Sequence, residues 1–158
     1  MPLDLREILI VIAHAALAAV GLWLVAIDAR THRLPNRIVL PATAVALVLI
    51  AVDAAFGGSS AQLLGSLLGM FALGGFYLLL RAISRGGIGG GDVKLALLIG
   101  LVLGWNGWAA LVIGAAAAFV LGAVYALLLM TMRRADRTTR IPFGPWMIAG
   151  AIIGLAAA

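Results

Sequence analysis

Two aspartates stand where an apolar chain has least reason to place a charge. Asp28 closes the apolar run at 8–27, and Asp92 opens another from within "RGGIGGGDVK" (85–94). A carboxylate inside a membrane helix costs about 3 kcal/mol on insertion scales, which makes it a functional candidate. Two such groups close together do not both ionise cheaply, so they share a proton. One then takes a proton from water while the other, protonated, polarises a carbonyl. That chemistry hydrolyses a peptide bond with neither metal nor covalent nucleophile. The plainer reading of Asp28 alone is a helix-end acid paired with Arg30 or Arg33.

Little else in the chain offers competing chemistry. There is no cysteine, and the two histidines lack a partner pattern. His14 is isolated in the middle of an apolar run, a packing or hydrogen-bonded residue, and His32 sits in the loop beside Asp28. Metal coordination needs more ligands at close spacing, so neither a metal nor another cofactor is expected. Asp4, Glu7 and Asp136 read as solvated acids. Asp53 lies about 24 Å along its span from Arg37, near the opposite interface, and reads as a hydrated interfacial acid.

The elements that must hold this pair follow from composition. Of the 158 residues, 65% are hydrophobic and 11% charged, whereas soluble domains are about half apolar and a quarter charged. The solvent is therefore a bilayer. Spans of about 20 apolar residues are predicted at 8–27, 38–56 and 63–80. The stretch 95–132 is a helical hairpin broken at Trp105, Asn106, Gly107 and Trp108, and a last span covers 141–158. The expected fold is all-α, a polytopic integral membrane protein with six transmembrane helices in one domain, 1–158. The opening residues carry two acids and one arginine, unlike the basic start of a secretory signal, so the first span is expected to be retained.

The charges orient these spans. Only Arg6 of the eleven Lys and Arg residues falls on one side; Arg30, Arg33, Arg37, Arg81, Arg85, Lys94, Arg133, Arg134, Arg137 and Arg140 fall on the other. Positive loops mark the cytoplasmic side, which puts both termini outside and both Asp28 and Asp92 toward the cytoplasm. A net charge of +5 then needs no nucleic acid to explain it. The segment from Leu95 to Trp105 rises only about 15 Å against a core of about 30 Å. Asp92 is thus expected roughly 10 Å below the surface by the same figures. The glycines before it are predicted to be irregular backbone around a cavity, with Gly89 and Gly91 using φ values closed to other residues.

Three segments together resemble the type IV prepilin peptidases, GxGD-type membrane aspartyl proteases. They are "GGGDVKL" (89–95), "AIDARTHRLPNRIVLP" (26–41) and "IPFGPWMIAG" (141–150). The resemblance implies Asp28 and Asp92 as the catalytic pair and Gly89 and Gly91 as the turn that presents Asp92. It implies positioning roles for Lys94, for Pro35 and Asn36 at the start of span two, and for Pro142, Gly144 and Pro145 at a close-packed bend. It also implies an aspartic endopeptidase of the prokaryotic cytoplasmic membrane that removes basic leaders from type IV prepilin-like substrates. Many relatives carry a cysteine-bearing cytoplasmic segment and methylate the product; this sequence resembles the minimal, peptidase-only form, so methylation is not expected. Basic loops would repel a basic leader, and most of those arginines are assigned to anionic membrane lipids. From the residues alone a small proton-coupled transporter, with Asp28 and Asp92 as a relay, stays open, although no internal repeat is visible. So does a non-catalytic subunit of a membrane complex. The glycine pairs Gly65/Gly69, Gly100/Gly104 and Gly150/Gly154 have the spacing of close helix contacts, expected within the chain.

Overall fold

The computed structural model describes residues 4–31, 34–56, 59–84, 87–133 and 142–158. His32, Arg33, Arg85, Gly86, Arg134, Asp136, Arg137, Arg140 and Ile141, named above, lie outside the described residues. The described residues form six helices and no strand: α1 (Leu5–Thr31), α2 (Asn36–Ala55), α3 (Ser60–Ile83), α4 (Gly90–Asn106), α5 (Trp108–Thr131) and α6 (Gly144–Ala157). Each expected span has its helix. Four of them, α1, α2, α3 and α5, are long and apolar enough to cross a membrane. The other two have 17 and 14 residues, about 26 and 21 Å of rise.

Glycine decides which helices pack backbone to backbone. On α3 and α4, Gly65 and Gly69 face Gly104 and Gly100, so a Cβ at Gly65 would lie 2.7 Å from the Gly104 carbonyl oxygen. On α5 and α6, a Cβ at Gly150 would lie 2.6 Å from the Ala118 nitrogen. The three small-residue pairs seen in the sequence are therefore contacts within the chain. Where helices find no aqueous exterior to hide from, close packing of this kind is what holds them. The α4–α5 hairpin turns at a single residue, Gly107, whose φ of 113° is open to glycine and strained for other residues.

By contrast, α1 buries only Leu24 and Asp28, four residues apart on one face. That stripe, with Gly21 one turn earlier, packs on Ile148 and Gly144 of α6. Large apolar side chains elsewhere on α1 and α2, such as Trp23, Leu22 and Val48, are exposed, as suits lipid-facing helices.

One expectation is corrected. Residues 87–89 are irregular as expected, but the irregular backbone stops short of Asp92, because α4 begins at Gly90 and takes Asp92 into its first turn. Gly89 has φ −67°, and among the described glycines only Gly107 has positive φ. The physical reason is capping: the Asp92 carboxylate accepts the N–H of Gly89 at 3.0 Å, which satisfies a free amide at the helix start. An acid in a first helical turn also complements the helix dipole.

Candidate active site

Both aspartates lie at the same end of the bundle, where α1 ends and where α4 and α6 begin. Asp28 is 4% exposed, and its Oδ2 accepts the backbone N–H of Gly144 at 3.1 Å. Gly144 is the first residue of α6, and Pro145 follows it. One opening amide of that helix is thus absent in proline, and the one before it is aimed at Asp28. A carboxylate at a helix N-terminus meets both free N–H groups and the positive end of the dipole. Gly144 must lack a side chain for this contact, since a Cβ there would sit 2.6 Å from Asp28 Oδ2.

Asp92 is held differently, by the start of its own helix through Gly89. Its charge and that of Asp28 are within electrostatic reach of each other, the Arg81 guanidinium of α3 also acts on it, and its charge in turn reaches Tyr77 of α3. Gly91 earns its place by sterics, not by an unusual φ. A Cβ at Gly91 would lie 2.8 Å from Leu34 Cβ and 3.3 Å from the Leu34 nitrogen. The segment leaving Asp28 and the helix bearing Asp92 therefore touch through a glycine. A second tie lies one turn further on, where Lys94 Nζ donates to Asn36 Oδ1 at 2.7 Å. Pro35, expected at the start of span two, is the N-cap of α2 with extended backbone, one position before the first helical residue, Asn36.

Two neighbours were not singled out in the sequence. Leu34, buried beside Gly91, carries no signal beyond an apolar residue before a proline. Phe143 precedes Gly144 and packs with Tyr77 and Phe119 at ring-centroid separations of 6.1 and 5.3 Å. It also fills the space left by Gly122, where a Cβ would lie 2.7 Å from its ring. Phe143 thereby anchors the chain just where Gly144 reaches Asp28. Its signal was available, as the one aromatic residue inside the Pro-Phe-Gly-Pro element.

The other end holds a different set. Asp53 is not merely hydrated: Arg6 Nε and Nη2 donate to its two oxygens at 2.6 and 2.9 Å. His14 Nδ1 lies 2.9 Å from the Ile10 carbonyl oxygen, and its ring lies 5.2 Å from that of Trp105. Trp105 thus has a packing role beside its place at the helix end. A mostly apolar cavity of about 60 Å³ is lined there by His14, Asp53, Trp105 and aliphatic neighbours. It lies far along the helices from Asp28 and Asp92. Among the described residues no group of three His, Cys, Asp or Glu side chains could hold a metal.

Comparison with known proteins bears on this geometry. No solved structure matches the chain at a significant level. Residues 15–127 match the type IV leader peptidase family, a segment that includes Asp28 and Asp92 and stops before Gly144. The chain is 33% identical over 126 residues to the prepilin leader peptidase/N-methyltransferase of Stutzerimonas stutzeri, covering 78% of this chain and 42% of that protein. It is 34% identical over 125 residues to the Bacillus subtilis (strain 168) protein of that name, covering 76% and 45%. For the Dickeya chrysanthemi protein of that name the figures are 32% over 143 residues, 89% and 49%. The chain thus spans about half the length of the curated relatives it matches. With the family match extending over more than two thirds of its residues, this chain belongs to the type IV leader peptidase family.

Proposed function

We propose that this chain is an aspartic endopeptidase, one membrane-embedded domain over 1–158, that removes the basic leader from type IV prepilin-like proteins. Asp28 and Asp92 are its catalytic pair. The observation that carries the reading is the meeting of these two acids at one end of the bundle. One is buried against a helix N-terminus, and the other lies within reach of its charge.

In this mechanism the ionised member of the pair takes a proton from a water molecule. The water oxygen forms a bond to the scissile carbonyl carbon, and the protonated member donates to the carbonyl oxygen as negative charge grows there. Collapse of the tetrahedral intermediate breaks the C–N bond, and the leaving nitrogen takes a proton from the pair. The Gly144 and Gly89 amides each hold one carboxylate oxygen, of Asp28 and of Asp92, and so fix the direction in which each acid faces.

All six helices span the membrane in this reading. The glycine contacts of α4 with α3 and of α6 with α5 support it, because they run each shorter helix beside a long one. Arg30, Arg37, Arg81, Lys94 and Arg133 lie at the Asp28–Asp92 end, which supports a cytoplasmic site with both termini outside. A prepilin leader would enter from the cytoplasm while the apolar segment behind it stays in lipid.

The test is co-expression with a type IV prepilin, read by the gel shift on leader removal, for the wild type and Asp92→Ala. A shift with the wild type and none with the variant is expected. Equal processing by both would remove Asp92 from the mechanism, and accumulation of uncut prepilin with both would remove the peptidase reading.

A further inference from the structure

Arg81 reads from the sequence as one basic loop residue among many, yet its contacts lead to the site. It stands on the last turn of α3, four residues after Tyr77, so both side chains lie on the same face of that helix. Tyr77 is 1% exposed, and both residues lie within electrostatic reach of the Asp92 carboxylate. Arg81 Nη1 donates to the Ile88 carbonyl oxygen at 3.0 Å. That oxygen belongs to the same peptide unit as the Gly89 N–H, which donates to Asp92 Oδ2 at 3.0 Å.

A peptide unit is planar. A guanidinium that fixes its oxygen therefore fixes the direction in which its N–H points. Hydrogen bonds joined through one amide also polarise each other, so the cation strengthens the donor that Asp92 accepts. Gly90 fits this arrangement. A Cβ there would lie 3.1 Å from Arg81 Nη1, and the next nearest atoms also belong to that guanidinium. The middle glycine of the three before Asp92 is where Arg81 crosses the chain.

We propose that Arg81 is a positioning residue for Asp92, acting through the Ile88–Gly89 peptide unit, with Gly90 kept bare to admit it. The proposal rests on the reading of Asp92 as catalytic. In this role Arg81 acts through its bond to the Ile88 oxygen and not on the substrate itself.

The experiment measures kcat and KM for prepilin cleavage by purified, membrane-reconstituted protein, normalised to folded enzyme. The variants are Arg81→Gln, Arg81→Lys, Gly90→Ala and the Arg81→Gln/Gly90→Ala double variant. Arg81→Gln is expected to lower kcat about tenfold, well inside the hundredfold that a shift of about 1 Å can cost, with KM within about twofold. Arg81→Lys, which keeps a cationic donor, recovers most of the rate. Gly90→Ala alone costs about threefold and nothing further in the Arg81→Gln background, since its added methyl meets only that side chain. Hydrogen exchange at the Gly89 amide, read without substrate, is faster in Arg81→Gln. Unchanged kcat in Arg81→Gln, a loss confined to KM, no recovery with lysine, or additive losses in the double variant would each overturn the proposal. Asp92→Asn in the same assay separates the two ideas. If it cleaves normally, the catalytic reading fails; if it is inactive while Arg81→Gln is normal, only the role of Arg81 fails.

Discussion

The two ends of the bundle treat their acids in opposite ways. At one end Asp53 receives two hydrogen bonds from a single arginine, Arg6, across α1 and α2. At the other, Asp28 and Asp92 receive backbone amides from the starts of α6 and α4. An arginine fork satisfies a carboxylate and holds it ionised. A backbone amide orients one oxygen and brings no net charge of its own. The first arrangement suits a clamp between helices and the second suits acid–base work. Supports differ too. The Asp28–Asp92 end is shaped by residues that must stay small, Gly91 against Leu34 and Gly144 against Asp28.

The sharpest way to break this comparison is to remove charge without removing shape. Asp28→Asn and Asp92→Asn keep the size of each side chain, but an amide can neither take the proton from water nor share one with its partner. Each is expected to lower cleavage by about a thousandfold, within the range of acid–base catalysis, in protein that inserts and folds normally. The measurement is the prepilin cleavage rate per folded enzyme. Ready turnover by either variant would mean that the pair does not act as one.

Smaller but still large effects are expected from the glycines. Gly144→Ala puts a methyl carbon 2.6 Å from Asp28 Oδ2, too close for the carboxylate to stay, and must turn it away from its amide. Gly91→Val drives the start of α4 from Leu34 and carries Asp92 with it. A displacement of about 1 Å costs on the order of a hundredfold in rate, and each variant should show it with little change in KM. Gly87→Ala contacts only Ser84 and should stay within about threefold on the same scale. Comparable losses at Gly87 and Gly91 would mean that the segment needs flexibility, not a close approach.

The sequence made the helices legible because lipid imposes a simple length rule, and because Gly107 between two tryptophans can only end a span. It made Asp28 and Asp92 legible because a charge in an apolar run has few bland explanations. Hidden were the reasons that depend on a partner distant in the chain. Gly91 suggests an unusual φ when read alone, and only the position of Leu34 shows that it is there for space. Gly144 looks like a helix start, and its contact with Asp28 spans 116 residues. Arg81 is lost among other cations until its bond to Ile88 is known. Asp53 was misread for the same reason, since its partner Arg6 is 47 residues away.

The smallest expected effect is at the clamp, where the comparison can be sharpened. Asp53→Asn removes the charge that Arg6 holds, at the far end of α1 and α2 from the site. The pair reaches solvent mainly through Arg6, whose side chain is 44% exposed against 16% for Asp53, and an ion pair with one partner in solvent contributes little to stability. Cleavage per folded enzyme is therefore expected within about twofold of the wild type. Arg6→Asp should do more harm than Asp53→Asn, since it sets two acids against each other where α1 meets α2. Adding Asp53→Arg to that variant should restore the pair with its charges exchanged. Recovery is measured as the amount of folded protein in the membrane and as the cleavage rate. If the exchange restores both, Asp53 serves only to join two helices. If folded protein returns and cleavage does not, Asp53 takes part in the chemistry, and the division between the two ends is wrong.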